Sequence, residues 1–375
     1  MSICSSIERS LTFRYGSVMA VAEPTLEPLG ARPVAPAVAF NRVLAVKWWA
    51  GLGAAVLVAQ AVVLIAWISS KWFHHVSSGP TPVPAYMKIA MVAWQVILPL
   101  SGLTIIYLFV VRPWRRERRL TTYGLLVIAF STLWFQDPLS AYGGEWFTYN
   151  AWQLNMGSWV HEIPGWLAPG MPSHQIAYPL LVVPGAYITI FLLVSFLGSR
   201  LMAAVKARRP QTGRAGLVAI CFVAMVLFDV VFEGVVFMPL GAWEYPGGHI
   251  ALFGATFHKY PLNEALTTGM LFTAFASIKY FVDDRGLTFA ERGAKALRTS
   301  PGRAWAVRAL AVTGLVSLVM VLCYNLPNFV VGLHSTTWPR DIQKRSYLTY
   351  TCGPAAGRIC PPSAIKARGA GPDGR

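Results

Sequence analysis

The chain has 375 residues, of which 55% are hydrophobic and only 13% charged. Soluble domains carry roughly 25% charged residues, and mean hydropathy here is +0.49, so the composition excludes an ordinary soluble domain. The net charge of +16 invites a nucleic-acid reading, but the charge is confined to alternate loops, which excludes that class and points to membrane topology.

Residues 1–47 hold five Lys/Arg, and residues 21–39 are rich in Pro and Ala. This segment is expected to be a disordered cytoplasmic tail, with Met19 an alternative start to Met1. It lacks an early apolar run, so no cleavable leader is expected and the first span serves as an uncleaved anchor. Seven segments are long and apolar enough to span: 48–70, 88–111, 120–136, 177–198, 215–239, 262–282 and 304–327. The third is the shortest. The expectation is an all-α membrane domain over 48–332, followed by a tail over 333–375.

Orientation follows from the basic residues. Residues 112–119 hold five Lys/Arg, 199–214 hold five, and 279–308 hold seven. The connections between them hold Lys71 and Lys88, then none, then Lys259. Cytoplasmic loops carry the Lys/Arg excess, which puts the N-terminus in the cytoplasm and the C-terminus outside a plasma membrane. Contact with anionic lipid accounts for the remaining basic charge. Cys352 and Cys360 fall in the external tail, where a disulfide and two free thiols are both open.

Two outer loops stand out. The loop 137–176 has no Lys or Arg, and it carries Trp146, Trp152, Trp159 and Trp166 at intervals of six, seven and seven. It reads as an aromatic belt at headgroup level or as a lid over a site. It also contains Tyr142 and Asn150. The loop 240–261 has Gly/Pro turns with Glu244, His249 and His258, and is expected to form a structured cap.

The fifth span carries the chemistry. Its only charges are Asp229 and Glu233, spaced i, i+4, which places them on one helical face. Carboxylates inside a span are costly and usually face a polar interior or carry function. They lie about 21 and 27 Å from the cytoplasmic end of the helix at 1.5 Å per residue. Asp137 ends the third span at the same level, where Pro138 marks a helix end. Asn263 and Glu264 open the sixth span there, and Asn325 and Asn328 close the seventh. Four helices thus bring polar groups to one depth. A paired carboxyl suits acid/base work, one member holding a proton while the other is ionised. The alternative for Asp229 and Glu233 is a polar helix–helix contact, and for Glu264 a first-turn acid that complements the helix dipole.

All seven histidines lie on the outer side, but no HExxH or clustered histidine box occurs, so no metal is expected. The P-loop, GxGxxG and GxSxG patterns are also missing, and no cofactor is expected.

The segments WFQDPLSAY (134–142), AYPLLVVPGAY (177–187) and FDVVFEGVVFMPLGAWEYPG (228–247) resemble, in this order, the AveC-like spirocyclase family of actinobacterial membrane proteins. The likeness covers roughly residues 48–332. It implies closure of a dihydroxy-ketone polyketide to a spiroketal with loss of water. Asp137, Asp229 and Glu233 fall within the matching segments. That chemistry asks for an acid to protonate a leaving hydroxyl and an anion to stabilise an oxocarbenium ion, work that two carboxyls do in glycoside hydrolysis.

The expected roles are Glu233 as general acid, Asp229 as stabilising carboxylate or base, and Asp137 as second base or positioning group. Tyr142, Asn150, Glu244, His258, Asn263 and Glu264 are the expected substrate-binding residues. The substrate is an apolar hydroxylated ketone of polyketide or lipid type. The competing classes are a proton-coupled transporter and a lipid-binding or assembly protein without catalysis.

Overall fold

The computed structural model describes residues 36–141, 146–166, 176–297 and 299–349. They are mostly helical, with a few two-residue strands. In chain order the elements begin with α1 (Pro36–Ser69) and α2 (Ala85–Glu117). Next come α3 (Thr122–Leu133) and, after a tight 3-10 turn at Trp134–Gln136, α4 (Asp137–Ala141). The long helices α5 (Val183–Arg208) and α6 (Arg214–Leu240) follow. The set closes with α7 (Leu262–Tyr280) and α8 (Pro301–Met320). The last of these runs on through a π-helical turn, Val321–Asn325, into Leu326–Gly332. Two short helices end the described chain, α9 (Arg340–Gln343) and α10 (Ser346–Thr349).

Among the described residues, five helices are long and apolar enough to cross a membrane: Val43–Ser69, Ala85–Glu117, Val183–Arg208, Arg214–Leu240 and Gly302–Gly332. The two other segments expected as spans also form helices, with a physical difference. α3 has 12 residues, about 18 Å of rise, and reaches further only through its 3-10 turn and α4. α7 has 19 residues and buries Glu264, Thr267, Thr268 and Thr273, which lowers its hydropathy.

The membrane-level core lies between α3, α5, α6, α7 and α8. Phe130, Phe191 and Phe275 meet at its centre with ring centroids 4.9–5.6 Å apart. Leu125, Leu271, Val312 and Val316 surround them. Lipid is as apolar as these side chains, so shape-fitted van der Waals contact holds the helices together rather than escape from water.

A cap of loops covers the other end. β1 (Thr148–Tyr149) pairs antiparallel with β2 (Trp243–Glu244), and β3 (Ala251–Leu252) with β4 (Tyr260–Pro261). Trp146 and Trp159 are fully buried in the cap. Their indole N–H groups donate to Ser140 O (2.9 Å) and Phe135 O (3.0 Å). These two are therefore cap core rather than a belt or a lid at the lipid surface.

Two boundaries differ from expectation. α1 begins at Pro36, so residues 36–47 are helical rather than disordered, and a boundary at 47/48 would cut a continuous helix. Residues 338–348, expected in a tail, contribute buried Trp338, Ile342, Tyr347 and Leu348 to a cluster with Val83 and Met87. Ser346 Oγ also donates to Ser78 O at 2.8 Å. Cys352 and Cys360 lie outside the described residues.

Candidate functional site

α6 departs from α-helical geometry where the sequence places its carboxylates. Val230–Phe237 is π-helical. Such bulges re-aim side chains and recur at functional sites. Asp229 ends the regular part and Glu233 sits inside the bulge, both buried. The two carboxyls are close enough to interact directly.

Each carboxyl is held by aromatic donors from elsewhere in the chain. Tyr260, in β4, donates to Asp229 Oδ2 at 2.5 Å. Trp243 Nε1–H, in β2, donates to Glu233 Oε1 at 2.5 Å, and the Tyr245 hydroxyl donates to the same oxygen at 2.6 Å. The Tyr245 oxygen also lies 3.3 Å from Glu264 Oε1, so a single phenol links two acids. In α7, Glu264 accepts from Thr268 (2.8 Å), from Tyr324 (2.9 Å), and on its other oxygen from Asn328 Nδ2 (3.2 Å). Asp137 Oδ1 accepts from Tyr187 at 2.5 Å, and its Oδ2 accepts from Tyr149.

All four carboxyls line one cavity of about 110 Å³. The remaining wall is largely aromatic and apolar: Phe147, Phe191, Phe232 and Phe272 with Tyr149, Tyr187, Tyr245, Tyr324 and Trp243. No Lys, Arg or His is among the described residues that line it.

The expected helix end at Asp137 is not what the structure has. Asp137 takes helical angles, φ −55° and ψ −52°, and opens α4. Pro138 is then near the start of a helical segment, where its missing N–H costs nothing.

The other expected residues separate. Asn263 lies behind Glu264, donating to Asn328 Oδ1 at 3.4 Å. Asn150 is structural in place: its Nδ2 donates to Gly241 O at 2.8 Å, and its Oδ1 accepts from the Trp152 amide at 3.0 Å. Trp243 and Tyr245 reach the cavity, and strand alternation turns Glu244 to the opposite face. Glu244 is fully buried and neither of its oxygens has a hydrogen-bond partner. Burial pushes it well above the usual carboxylate range, with the Arg345 guanidinium opposing. His258 packs against Phe257 and Phe253 in the cap, and burial holds its imidazole below its ordinary value. Tyr142 lies outside the described residues.

Sequence reasoning missed the donors Tyr149, Tyr187, Trp243, Tyr245, Tyr260 and Tyr324. Tyr187, Trp243 and Tyr245 were inside the segments that carried the resemblance, and their aromatic hydroxyl or indole N–H was the available signal. The remaining three come from separate stretches that only folding brings near.

A family model described as "Spirocyclase AveC-like" matches residues 117–348. The match ends within α10, so it includes the C-terminal cap helices and begins only at the end of α2. This shifts the expected 48–332 at both ends. No curated protein and no solved structure matches the chain.

Proposed function

Because the chain belongs to the AveC-like spirocyclase family, we propose that it is a membrane-embedded cyclase and dehydratase. Its substrate is an apolar hydroxylated ketone of polyketide or lipid type, and its chemistry is acid/base catalysis by carboxyls. The observation that carries this reading is the convergence of Asp137, Asp229, Glu233 and Glu264 on one aromatic-lined cavity, with no cation among the described residues of its wall.

Donor counting distributes the roles. Hydrogen bonds donated to a carboxylate favour its ionised form. Glu233 accepts from Trp243 and Tyr245, Glu264 from Thr268, Tyr324 and Asn328, and Asp137 from two tyrosines. Asp229 accepts from Tyr260 and interacts directly with Glu233. The proton between the pair therefore belongs on Asp229, which becomes the general acid, and Glu233 becomes the stabilising carboxylate. This reverses the roles expected from sequence.

In the reaction, a hemiketal hydroxyl takes the Asp229 proton and leaves as water with the C–O electron pair. The oxocarbenium ion that remains faces the Glu233 carboxylate and the electron-rich ring faces of the wall. A second hydroxyl of the same substrate attacks that carbon and returns its proton to the Asp229–Glu233 pair. One water is lost and no redox step occurs. Asp137, with both oxygens occupied by tyrosines, positions the wall rather than transferring the proton. A dry cavity keeps the departed water from competing.

The setting is a plasma-membrane bundle of seven helices, α3 and α7 included, with the N-terminus on the basic, cytoplasmic side and the cavity toward the outer side. The transporter reading wants a polar path through the other half. The core there is built from residues such as Leu125, Phe130, Phe275 and Val316, which favours a one-sided chamber.

The test is an extract of host lipids and polyketides from wild type, a deletion strain, and the deletion complemented with the Asp229→Asn/Glu233→Gln protein shown to insert. A hydroxy-ketone heavier by one water accumulates in the deletion and the mutant alike. If the intermediates match and only the cellular distribution of a compound differs, the chain is a carrier.

A further inference from the structure

α1 and α8 cross with their backbones in contact. A methyl group added at Gly53 would stand 2.0 Å from the Leu310 carbonyl oxygen, and one added at Gly314 would stand 2.4 Å from that of Trp49. The two helices run parallel, since Lys47 neighbours Arg303 and Val307 while Gly53 neighbours Leu310 and Gly314. From the glycine crossing toward their N-terminal ends, a pocket opens between them. The wedge that opens is closed on its third side by Ala296, Leu297 and Thr299, and its volume is about 630 Å³.

The lining of this wedge is amphipathic. Val43, Leu297, Val307 and Leu310 form an apolar wall, and Lys47, Thr299 and Arg303 provide polar groups. No carboxylate is among the described lining residues. Lys47 and Arg303 are both exposed. Trp48, 59% exposed, and Trp305, in edge contact with Trp114, flank the same helix ends. Tryptophans gather at headgroup level, so the mouth lies where lipid phosphates lie while the wall continues toward the acyl chains. Two cations beside an apolar groove at that depth complement an anionic headgroup and its first methylenes.

We propose that the wedge between α1 and α8 binds one anionic phospholipid, with its phosphate on Lys47 and Arg303 and an acyl chain along Val43, Leu297, Val307 and Leu310. The site is separate from the carboxyl cavity, with which it shares no lining residue. It does not depend on the catalytic reading.

The test is native mass spectrometry of the full-length protein in detergent, titrated with phosphatidylglycerol or phosphatidylcholine. Four proteins are compared: wild type, Lys47→Gln/Arg303→Gln, Val307→Trp, and the control Arg115→Gln/Arg116→Gln at exposed positions of α2. Thermal midpoints confirm that each is folded. A basic residue near an anionic lipid surface contributes about fivefold in affinity, so the charge variant loses its tightest phosphatidylglycerol about 30-fold. Val307→Trp fills the wedge and also loses it, while the control matches wild type. The proposal is overturned if phosphatidylcholine binds equally tightly, or if the charge variant keeps the wild-type affinity. It also fails if millimolar inorganic phosphate displaces the lipid while Val307→Trp has no effect, since the site would then hold a free anion.

Discussion

Tyr260 packs its ring against Gly234, and from that position its hydroxyl reaches Asp229 at 2.5 Å. A methyl group on residue 234 would stand 2.9 Å from the ring, closer than carbon atoms pack. The glycine in the bulge of α6 therefore sets where the tyrosine donor stands. Gly234→Ala displaces the ring and costs the hydrogen bond to the protonated Asp229, about 0.5–1.5 kcal/mol for a bond between neutral groups. Turnover in isolated membranes falls by roughly two- to tenfold. Tyr260→Phe produces a similar loss, and the double variant is no worse than the larger single loss. Additive losses would show that the two residues act separately.

The carboxyls rank by their place in the proposed reaction. Asp229→Asn removes the acid and lowers turnover by about 10²–10⁴-fold. Glu233→Gln removes the anion that faces the cation and lowers it comparably. Glu264→Gln removes an acid that is hydrogen-bonded to Tyr245 and is not assigned the proton transfer, so its loss stays near tenfold and overlaps that of Tyr245→Phe. Single-turnover rates on the accumulated hydroxy-ketone measure all four. A Glu264 variant as inactive as the Asp229 variant would move the acid to α7.

Glu244 gives a pH signature in stability rather than in turnover. Its folded-state carboxyl titrates well above 4.5 because it is buried without partners. Between the unfolded and folded values the native chain holds the extra proton, so this group lowers stability as pH rises through that window. Glu244→Gln removes the effect. Thermal midpoints of variant and wild type coincide near pH 4.5 and separate above it, with the variant the more stable. The separation is about 2–4 °C per kcal/mol. Curves that stay parallel from pH 4.5 upward would mean that Glu244 gains a partner in solution.

Trp338 tests whether the segment beyond α8 belongs to the folded body. It is 1% exposed, in a cluster with Met87 and Tyr347. Trp338→Ala opens a cavity costing about 3–5 kcal/mol, read as a lowered unfolding midpoint in detergent. A midpoint equal to that of wild type would return residues 333–349 to a loose tail.

Several features were legible in the amino-acid string because they depend on one stretch at a time. Apolar runs long enough for a bilayer mark α1, α2, α5, α6 and α8. The spacing of Asp229 and Glu233 puts both on one side of α6, and the bulge at Val230–Phe237 keeps them in contact. Even the shared depth of Asp137, Glu264 and Asn328 follows from counting residues along each helix. All these are properties of helical rise and local hydropathy, which need no knowledge of neighbours.

What only the tertiary structure decided is which way each helix and strand faces. Helix rotation places Glu264 on the cavity and Asn263 behind it. Pleating sends Trp243 and Tyr245 to Glu233 and turns Glu244 away, although the three are consecutive. The tyrosines that hold the acids come from β1, α5, β4, the loop after β2 and the π-turn after α8, separated by up to 175 positions between Tyr149 and Tyr324. A hydrogen bond between such residues has no periodicity to announce it. Sequence determined that Asp229 and Glu233 lie within one apolar helix, because that follows from the segment that carries them. The fold decided which donors meet them, because that depends on the packing of five segments at once.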